Sequence, residues 1–279
     1  MLVYRTFSDL RKYLDQKDLF GKTIGFVPTM GALHKGHMSL VQKSNQLCDI
    51  SVTSIFVNPA QFNKVEDLKK YPRNEEVDIQ MLEVNQCDVV FIPEVDEVYP
   101  EGLVSPKVDL KGIDLRMEGK HRPGHFDGVV QVVGRFFDQI RPQKAFFGEK
   151  DFQQVSVIEQ MERVLNYKVE IVRCAIVRED SGLAMSSRNK RLSDVGLTQA
   201  VLISEQLQWV KNNFNFSNGN EIQRALEKAF KTDAAMELEY FEIVDEVNLQ
   251  PLKSTNNKAR AFMAVELEGI RLIDNIALY

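Results

Sequence analysis

Two of the chain's four histidines, His34 and His37, stand three residues apart in "FVPTMGALHKGHMSLV" (26–41), just where an apolar run ends and a helical pattern begins. Backbone N–H groups at a helix N-terminus attract anions, and a glycine such as Gly31 lets a phosphate approach the backbone closely. Two imidazoles at that point can donate to phosphate oxygens and stabilise the charge that grows as a P–O bond breaks. The spacing fits a nucleotide phosphate site. A plainer alternative has one histidine capping the helix and the other on the surface. A metal site would need a third histidine or a nearby carboxylate, and the stretch has neither.

Other turns carry chemistry of the same kind. "VNPAQF" (57–62) offers Asn58 and Gln61, amides able to recognise hydroxyl and carboxylate groups without adding charge, or simply an Asn-Pro turn. In "FGEKDFQQ" (147–154), Gly148 permits close approach and Lys150 offers a positive charge for phosphate. Asp151 suits a helix cap or ribose hydroxyls, and Gln153 or Gln154 suits a pocket. The alternative for Lys150 and Asp151 is a surface ion pair. "GLAMSSRN" (182–189) places Ser186 and Ser187 before Arg188, a set able to clamp phosphate oxygens. "EGKHRPGHF" (118–126) holds His121, Arg122 and His125 at a Pro-Gly turn that needs no ligand to justify it. "DEVYP" (96–100), "EDLKKYPR" (66–73) and the late "STNNKAR" read as connectors, the first two solvated, with no chemistry.

The elements that must position these residues follow from periodicity. "TIGFVP" (23–28) and "ISVTSIFVNP" (50–59) read as buried strands, and "HMSLVQKSNQLC" between them as a helix. The alternation continues through a helix over 74–86, a strand over 88–93, a helix over 126–140, a strand over 144–148, a helix over 151–165 and a strand over 167–174. That predicts an α/β class with a doubly wound parallel sheet and ligands at the carboxyl ends of its strands. After about residue 176 the pattern changes to two amphipathic helices joined by "NFSNGN", then the strands "LEYFEIVD", "ARAFMAVEL" and "IRLIDNIAL". A smaller α+β domain is expected there.

With 279 residues the chain is long enough for two unequal domains, and 44% apolar against 27% charged residues leaves material for a core. A net charge of −5 does not suit a protein built to hold a nucleic-acid backbone, so a small-molecule partner is expected. Three scattered cysteines argue against a disulfide framework or zinc site and suit a reducing compartment. No stretch has signal-peptide or membrane-span character, and a cytoplasmic protein with no membrane partner is the simple expectation.

Taken in order, "PTMGALHKGH", "SIFVNPAQF", "EGKHRPGHFDGV", "FGEKDFQQ", "MSSRN" and "RLIDN" resemble the conserved blocks of the pantothenate synthetases, or pantoate–β-alanine ligases, of the His-x-Gly-His nucleotidyltransferase superfamily. The resemblance runs from about residue 23 to 275. It implies a Rossmann-like domain over 1–176 binding ATP and pantoate, a smaller lid and β-rich domain over 177–279, and a homodimer. It also implies a two-step reaction. ATP activates pantoate as pantoyl adenylate with release of pyrophosphate, Mg²⁺ riding on the nucleotide, and the amine of β-alanine then displaces AMP.

Residue by residue, the resemblance implies an ATP site from Met30, Gly31, Ala32, Leu33, His34, Lys35, Gly36 and His37, with His37 as proton donor. Gly148, Glu149, Lys150 and Asp151 also fall at the nucleotide, Val177 at adenine, and Met185, Ser186, Ser187 and Arg188 over the phosphates. Gln61 and Gln154, with Asn58 beside them, are implied to hold pantoate, and Gln61 to border β-alanine. His34, His37, Lys150, Ser186, Ser187 and Arg188 form the implied catalytic set, and no protein metal ligand is implied. Two competing readings are a transferase moving AMP onto a phosphorylated acceptor, which should have a basic acceptor site, and a catalytically silent ATP-binding protein.

Overall fold

The computed structural model describes residues 1–63, 65–102, 107–232, 236–253 and 258–279. Of the "STNNKAR" connector, residues 254–257 lie outside the described residues. Contacts divide the chain into two compact units, one of residues 1–149 and 153–175, the other of residues 150–152 and 176–279.

The first unit is a parallel sheet of β1 (Leu2–Tyr4), β2 (Ile24–Thr29), β3 (Ile50–Ile55), β4 (Val89–Phe91), β5 (Lys144–Gly148) and β6 (Glu170–Cys174), in the order β1-β4-β3-β2-β5-β6. Helices α1 (Phe7–Leu14), α2 (Lys35–Leu47), α3 (Val65–Lys70), α4 (Glu75–Val84), α5 (Val95–Val98), α6 (Met117–His121), α7 (His125–Ile140) and α8 (Phe152–Leu165) connect the strands. Every residue of β3 is buried, as expected of a parallel strand covered on both faces. On one face Met38 and Val41 of α2 and Leu82 of α4 pack with Val27 and Val90. On the other, Phe136 of α7 meets Phe26, Phe56 and Phe91 edge-on, with ring centroids 5.5–6.2 Å apart. The expected doubly wound sheet is present.

The strand order runs outward from β2 in one direction through β3 and β4, and in the other through β5 and β6. The crevice at such a reversal, at the carboxyl ends of β2 and β5, is where open α/β sheets take ligands. The turns after β2, β3 and β5 are the three that carry His34, Asn58 and Lys150. Strand β1 and helix α1 come from the charged N-terminal stretch, in which periodicity gave no strand. With three residues, β1 is held by parallel pairing to β4 rather than by an apolar run of its own.

In the second unit, α9 (Asp194–Asn213) and α10 (Gly219–Thr232) pack on an antiparallel sheet of β7 (Met236–Asp245), β8 (Ala259–Leu267) and β9 (Ile270–Ala277). Leu207 and Val210 of α9, Leu226 of α10, and Met263 and Val265 of the central strand are fully buried there. This is the expected smaller α+β unit.

Candidate active site

The turn between β2 and α2 is fixed by one remote carboxylate. Both Gly31 and Ala32 adopt positive φ, 77° and 51°, which bends the chain sharply out of the strand. At Gly31 a Cβ would stand 3.0 Å from the Asp78 carboxylate and from Ile55, so a side chain there would have to push both aside by a few tenths of an ångström on top of the strain of the positive φ. Asp78, 2% exposed on α4, accepts the Ala32 and Leu33 N–H groups, both at 2.8 Å. Charge-assisted bonds of this length to consecutive amides are the strong kind. They hold the turn open.

His34 is the N-cap of α2, and its Nδ1 accepts the Gly36 N–H at 3.2 Å. His37 Nδ1 in turn accepts the His34 N–H at 3.3 Å, and the two ring centroids lie 4.0 Å apart. An imidazole whose Nδ1 accepts a hydrogen bond carries its proton on Nε2. Each ring therefore caps the helix with one edge and carries its N–H on the other. The capping alternative and the phosphate-binding one are compatible, because they use different nitrogens.

The turn after β3 is assembled by residues distant in sequence. Asn58 is 1% exposed. Its Oδ1 accepts the Tyr99 hydroxyl at 2.6 Å and the Ala60 N–H at 3.2 Å, while its Nδ2 donates to Gln61 Oε1 at 3.1 Å and to the Gly128 carbonyl at 3.0 Å. All four hydrogen-bonding positions of that amide are occupied inside the fold. Gln61 Nε2 lies 3.0 Å from Met30 Sδ, a weak acceptor. Its backbone carbonyl accepts His125 Nδ1 at 2.9 Å and an Arg122 Nη at 3.2 Å. The "EGKHRPGHF" stretch thus acts as an anchor for Gln61. Burial pushes the Tyr99 phenol well above its usual range, so it stays protonated and donates to Asn58 throughout the neutral range.

Two segments read as solvated connectors are partly buried. Tyr99 is 7% exposed and holds Asn58; Tyr71 is 5% exposed and meets Phe62 edge-on at 5.8 Å. Their charged neighbours hid single aromatic anchors.

After β5, Gln153 donates to the Ile113 and Arg116 carbonyls at 2.7 and 2.8 Å and accepts the Glu118 N–H at 2.9 Å. Its amide is committed to that loop. Gln154 is half-buried one residue on, about 100° around the helix. Of the two glutamines left open by the residues alone, the structure spends Gln153 internally. Gly148 has open space where a Cβ would stand, Glu149 is half-buried, and Lys150 Nζ lies 3.7 Å from the Asp151 carboxylate.

In the second unit the Met185 N–H donates to the Val177 carbonyl at 3.0 Å, closing a hairpin whose turn is tightened by the Gly182 N–H on the Glu179 carbonyl at 2.8 Å. This brings Val177 and Met185 side by side. Ser186 Oγ accepts the Arg188 N–H at 3.2 Å and caps a short 3₁₀ turn, Ser187–Arg191. Ser186 and Arg188 are half-buried and Ser187 is buried. Asp274 grips Arg178 of the hairpin through both oxygens, at 2.7 and 3.1 Å.

Among the described residues no three His, Cys, Asp or Glu side chains gather as a metal-ligand set, and no helix is long and apolar enough to cross a membrane. The three cysteines are free, and burial pushes the Cys174 thiol up to about 11. None is poised as a nucleophile.

Asp78, Tyr99, Gly128 and Asp274 support these turns and were given no individual role from the sequence, although Gly128 and Asp274 fall within the quoted blocks "EGKHRPGHFDGV" and "RLIDN". Two left a local trace. Asp78 lies one turn before Leu82 on the buried face of α4, and Gly128 interrupts an apolar helix where alanine would be favoured.

The family model "Pantoate-beta-alanine ligase" matches residues 2–277. A pantothenate synthetase of Flavobacterium psychrophilum is 45% identical over 281 residues, with 100% of each chain covered. The solved pantothenate synthetase of Thermus thermophilus superposes with a TM-score of 0.91 at 38% identity, covering 100% of both chains. A Francisella tularensis pantoate–β-alanine ligase, solved with β,γ-ATP and β-alanine, gives a TM-score of 0.83 at 34% identity, covering 100% of this chain and 98% of that one. The chain belongs to the pantoate–β-alanine ligase family.

Proposed function

We propose that the enzyme makes pantothenate from ATP, (R)-pantoate and β-alanine by way of pantoyl adenylate, releasing pyrophosphate and then AMP. The observation that carries this reading is the pair of imidazoles held through Nδ1 at the end of β2, which puts the ring protons on Nε2 at a helix N-terminus. Such donors suit a triphosphate whose α–β bond is breaking. Support for the substrates comes from the Francisella relative, which was solved with β,γ-ATP and β-alanine.

In this reading Met30 to His37 line the nucleotide, His34 and His37 face the phosphates, and His37 acts as proton donor. Gly148 and Glu149 border the nucleotide. Lys150 and Arg188 offset phosphate charge, Asp151 meets the ribose, Val177 and Met185 flank adenine, and Ser186 and Ser187 cover the phosphates. Gln61 and Gln154 hold pantoate, and Gln61 borders β-alanine. Asn58 serves the same site by fixing Gln61, since its own amide is fully engaged. A carboxylate is a weak electrophile; adenylation gives it a good leaving group. No residue becomes covalently attached, so the chain's contribution is positioning and electrostatics.

Mg²⁺ prefers oxygen ligands and is commonly bound through substrate phosphates. With no ligand cluster among the described residues, it would arrive on the triphosphate and neutralise charge there. We further infer a homodimer in the cytoplasm, checked by light scattering and by cell fractionation.

The test is an omission series with purified protein, ATP, Mg²⁺, pantoate and β-alanine. AMP and pyrophosphate should form only with pantoate present, and pantothenate only when β-alanine is added. ADP as product would overturn the reading, and a stable dinucleotide-like product would favour an AMP transferase.

A further inference from the structure

The "RLIDN" stretch stands in β9, far in sequence from every residue given a chemical role, yet its last two residues are among the most buried polar groups in the chain. Asp274 is 4% exposed and Asn275 is 1% exposed. Burying an amide and a carboxylate is costly unless their bonds are made, and here they are made to particular partners. Asn275 Nδ2 donates to the backbone carbonyl of Lys150 at 3.0 Å, and Asn275 Oδ1 accepts an Nη of Arg260 at 2.6 Å. Arg260, 5% exposed, lies 3.9 Å over the ring of Phe152 and is paired with Glu246 at 3.0 Å. Phe152 in turn meets Phe262 of β8, with ring centroids 5.8 Å apart.

Residues Lys150–Phe152 are therefore gripped twice, by a hydrogen bond to the first and by a cation over the ring of the last. This is why they belong to the C-terminal unit although they run from the turn after β5 into the first residue of α8. Asp274, beside Asn275, accepts the Asn275 N–H at 2.8 Å and holds Arg178, which donates to the Gly182 carbonyl at 3.0 Å. One end of one strand thus sets both the Lys150 backbone and the hairpin that carries Val177 and Met185.

We propose that Asn275 is a positioning residue for the adenylation half-reaction, acting by fixing the backbone from which the Lys150 ammonium reaches the phosphates. The inference rests on the reading of Lys150 given above. It does not require Asn275 to touch any substrate.

Asn275→Asp separates this role from a merely structural one. The carboxylate keeps the volume and the acceptor for Arg260 but has no N–H for the Lys150 carbonyl. Single-turnover rates would be measured for pantoyl adenylate formation and, separately, for the attack of β-alanine on preformed adenylate. Wild type, Asn275→Asp, Lys150→Ala and the double variant would be compared. The expected result is a loss of about tenfold or more in adenylate formation for Asn275→Asp, less than about threefold in the second step, and no additional loss when Lys150 is already alanine. Equal losses in both half-reactions, or an undiminished loss in the Lys150→Ala background, would overturn the proposal. If Lys150→Ala leaves adenylation untouched, the reading of Lys150 fails as well. Should Asn275→Asp not fold, Arg260→Lys, which keeps the charge and loses the guanidinium fork, is scored by the same cycle.

Discussion

The turns after β2 and β3 leave adjacent parallel strands at the same carboxyl end of the sheet, yet they are built in opposite ways. His34 and His37 hold each other and the first turn of α2 through bonds spanning two and three residues. From outside, Asp78 reaches Ala32 across 46 residues and Gln61 meets Met30 across 31. The Asn58–Gln61 turn depends instead on Tyr99, His125 and Gly128, at separations of 41, 64 and 70 residues. In the reading above, the first turn serves chemistry that any ATP-consuming ligase of this kind needs, and the second selects the acid. The histidine caps of the first turn can form as soon as α2 does, whereas Ala32 and Leu33 wait for α4 to bring Asp78. The assembled one forms only after α7 and the loop bearing Tyr99 have docked.

Four substitutions break or sharpen that contrast. The largest effect on activity is expected for His37→Asn, which places an amide oxygen near the position of Nδ1, keeping the bond to the His34 N–H, and removes the Nε2–H donor. Adenylate formation should fall by about 10²–10³-fold, the usual cost of one lost transition-state donor. The melting temperature should hardly move. A parallel collapse in stability would show that the ring is chiefly a cap.

Gly128→Ala strikes the assembled turn. A Cβ there would stand 2.4 Å from the Ala60 carbonyl oxygen and 2.7 Å from the Gln61 backbone nitrogen, both parts of the main chain. Alanine in a helix interior is otherwise favoured over glycine by about 1 kcal/mol. The clash should reverse that sign and cost about 1–3 kcal/mol net. Denaturant unfolding measures it, and KM for pantoate should rise far more than KM for ATP. A stabilised variant would mean that α7 and the 58–61 turn separate easily.

Asp78→Asn should have the mirror-image signature. One of two charge-assisted bonds is lost and an amide N–H is left facing an NH₂ group, at a cost of about 2 kcal/mol. KM for ATP should rise several-fold with KM for pantoate little changed. A shift in pantoate affinity instead would show that the two turns are not independent.

Tyr99→Phe is the mildest, removing one bond to Asn58 at about 1 kcal/mol. It also carries a pH signature. The native phenol is pushed upward by burial, whereas the unfolded chain ionises near pH ~10. Above that pH the native state binds the extra proton, so native stability contributed by the protonated phenol is present below about pH 10 and declines as pH rises beyond it. Phenylalanine should remove that part of the alkaline decline, as read by denaturation between about pH 8 and 11. An identical pH dependence in both proteins would place Tyr99 in contact with water.

The second unit repeats the lesson. Its helices and strands were legible as patterns of apolar residues, but the use made of Asp274 and Asn275 was not. Asn275 lies 125 residues from the carbonyl that it holds. In the sequence, the connectors "DEVYP" and "EDLKKYPR" showed only their charges, because a lone tyrosine among carboxylates and lysines has no periodicity to mark it as buried.

By itself the sequence determined the alternation of strands and helices, the doubly wound class, the change of architecture near residue 176, and the histidine pair at a helix start. All of these depend on spacings of about two to four residues, which backbone geometry converts directly into faces and caps. Tertiary structure alone decided that Gln153 is spent on the 113–118 loop, that Asn58 is bonded to Tyr99 and Gly128, that Asp78 holds the turn before α2, and that Lys150 is anchored to β9. Those assignments depend on which buried polar groups find partners. A hydrogen bond between residues 35 to 125 positions apart leaves no periodic mark, because its partners meet only after the intervening elements have packed.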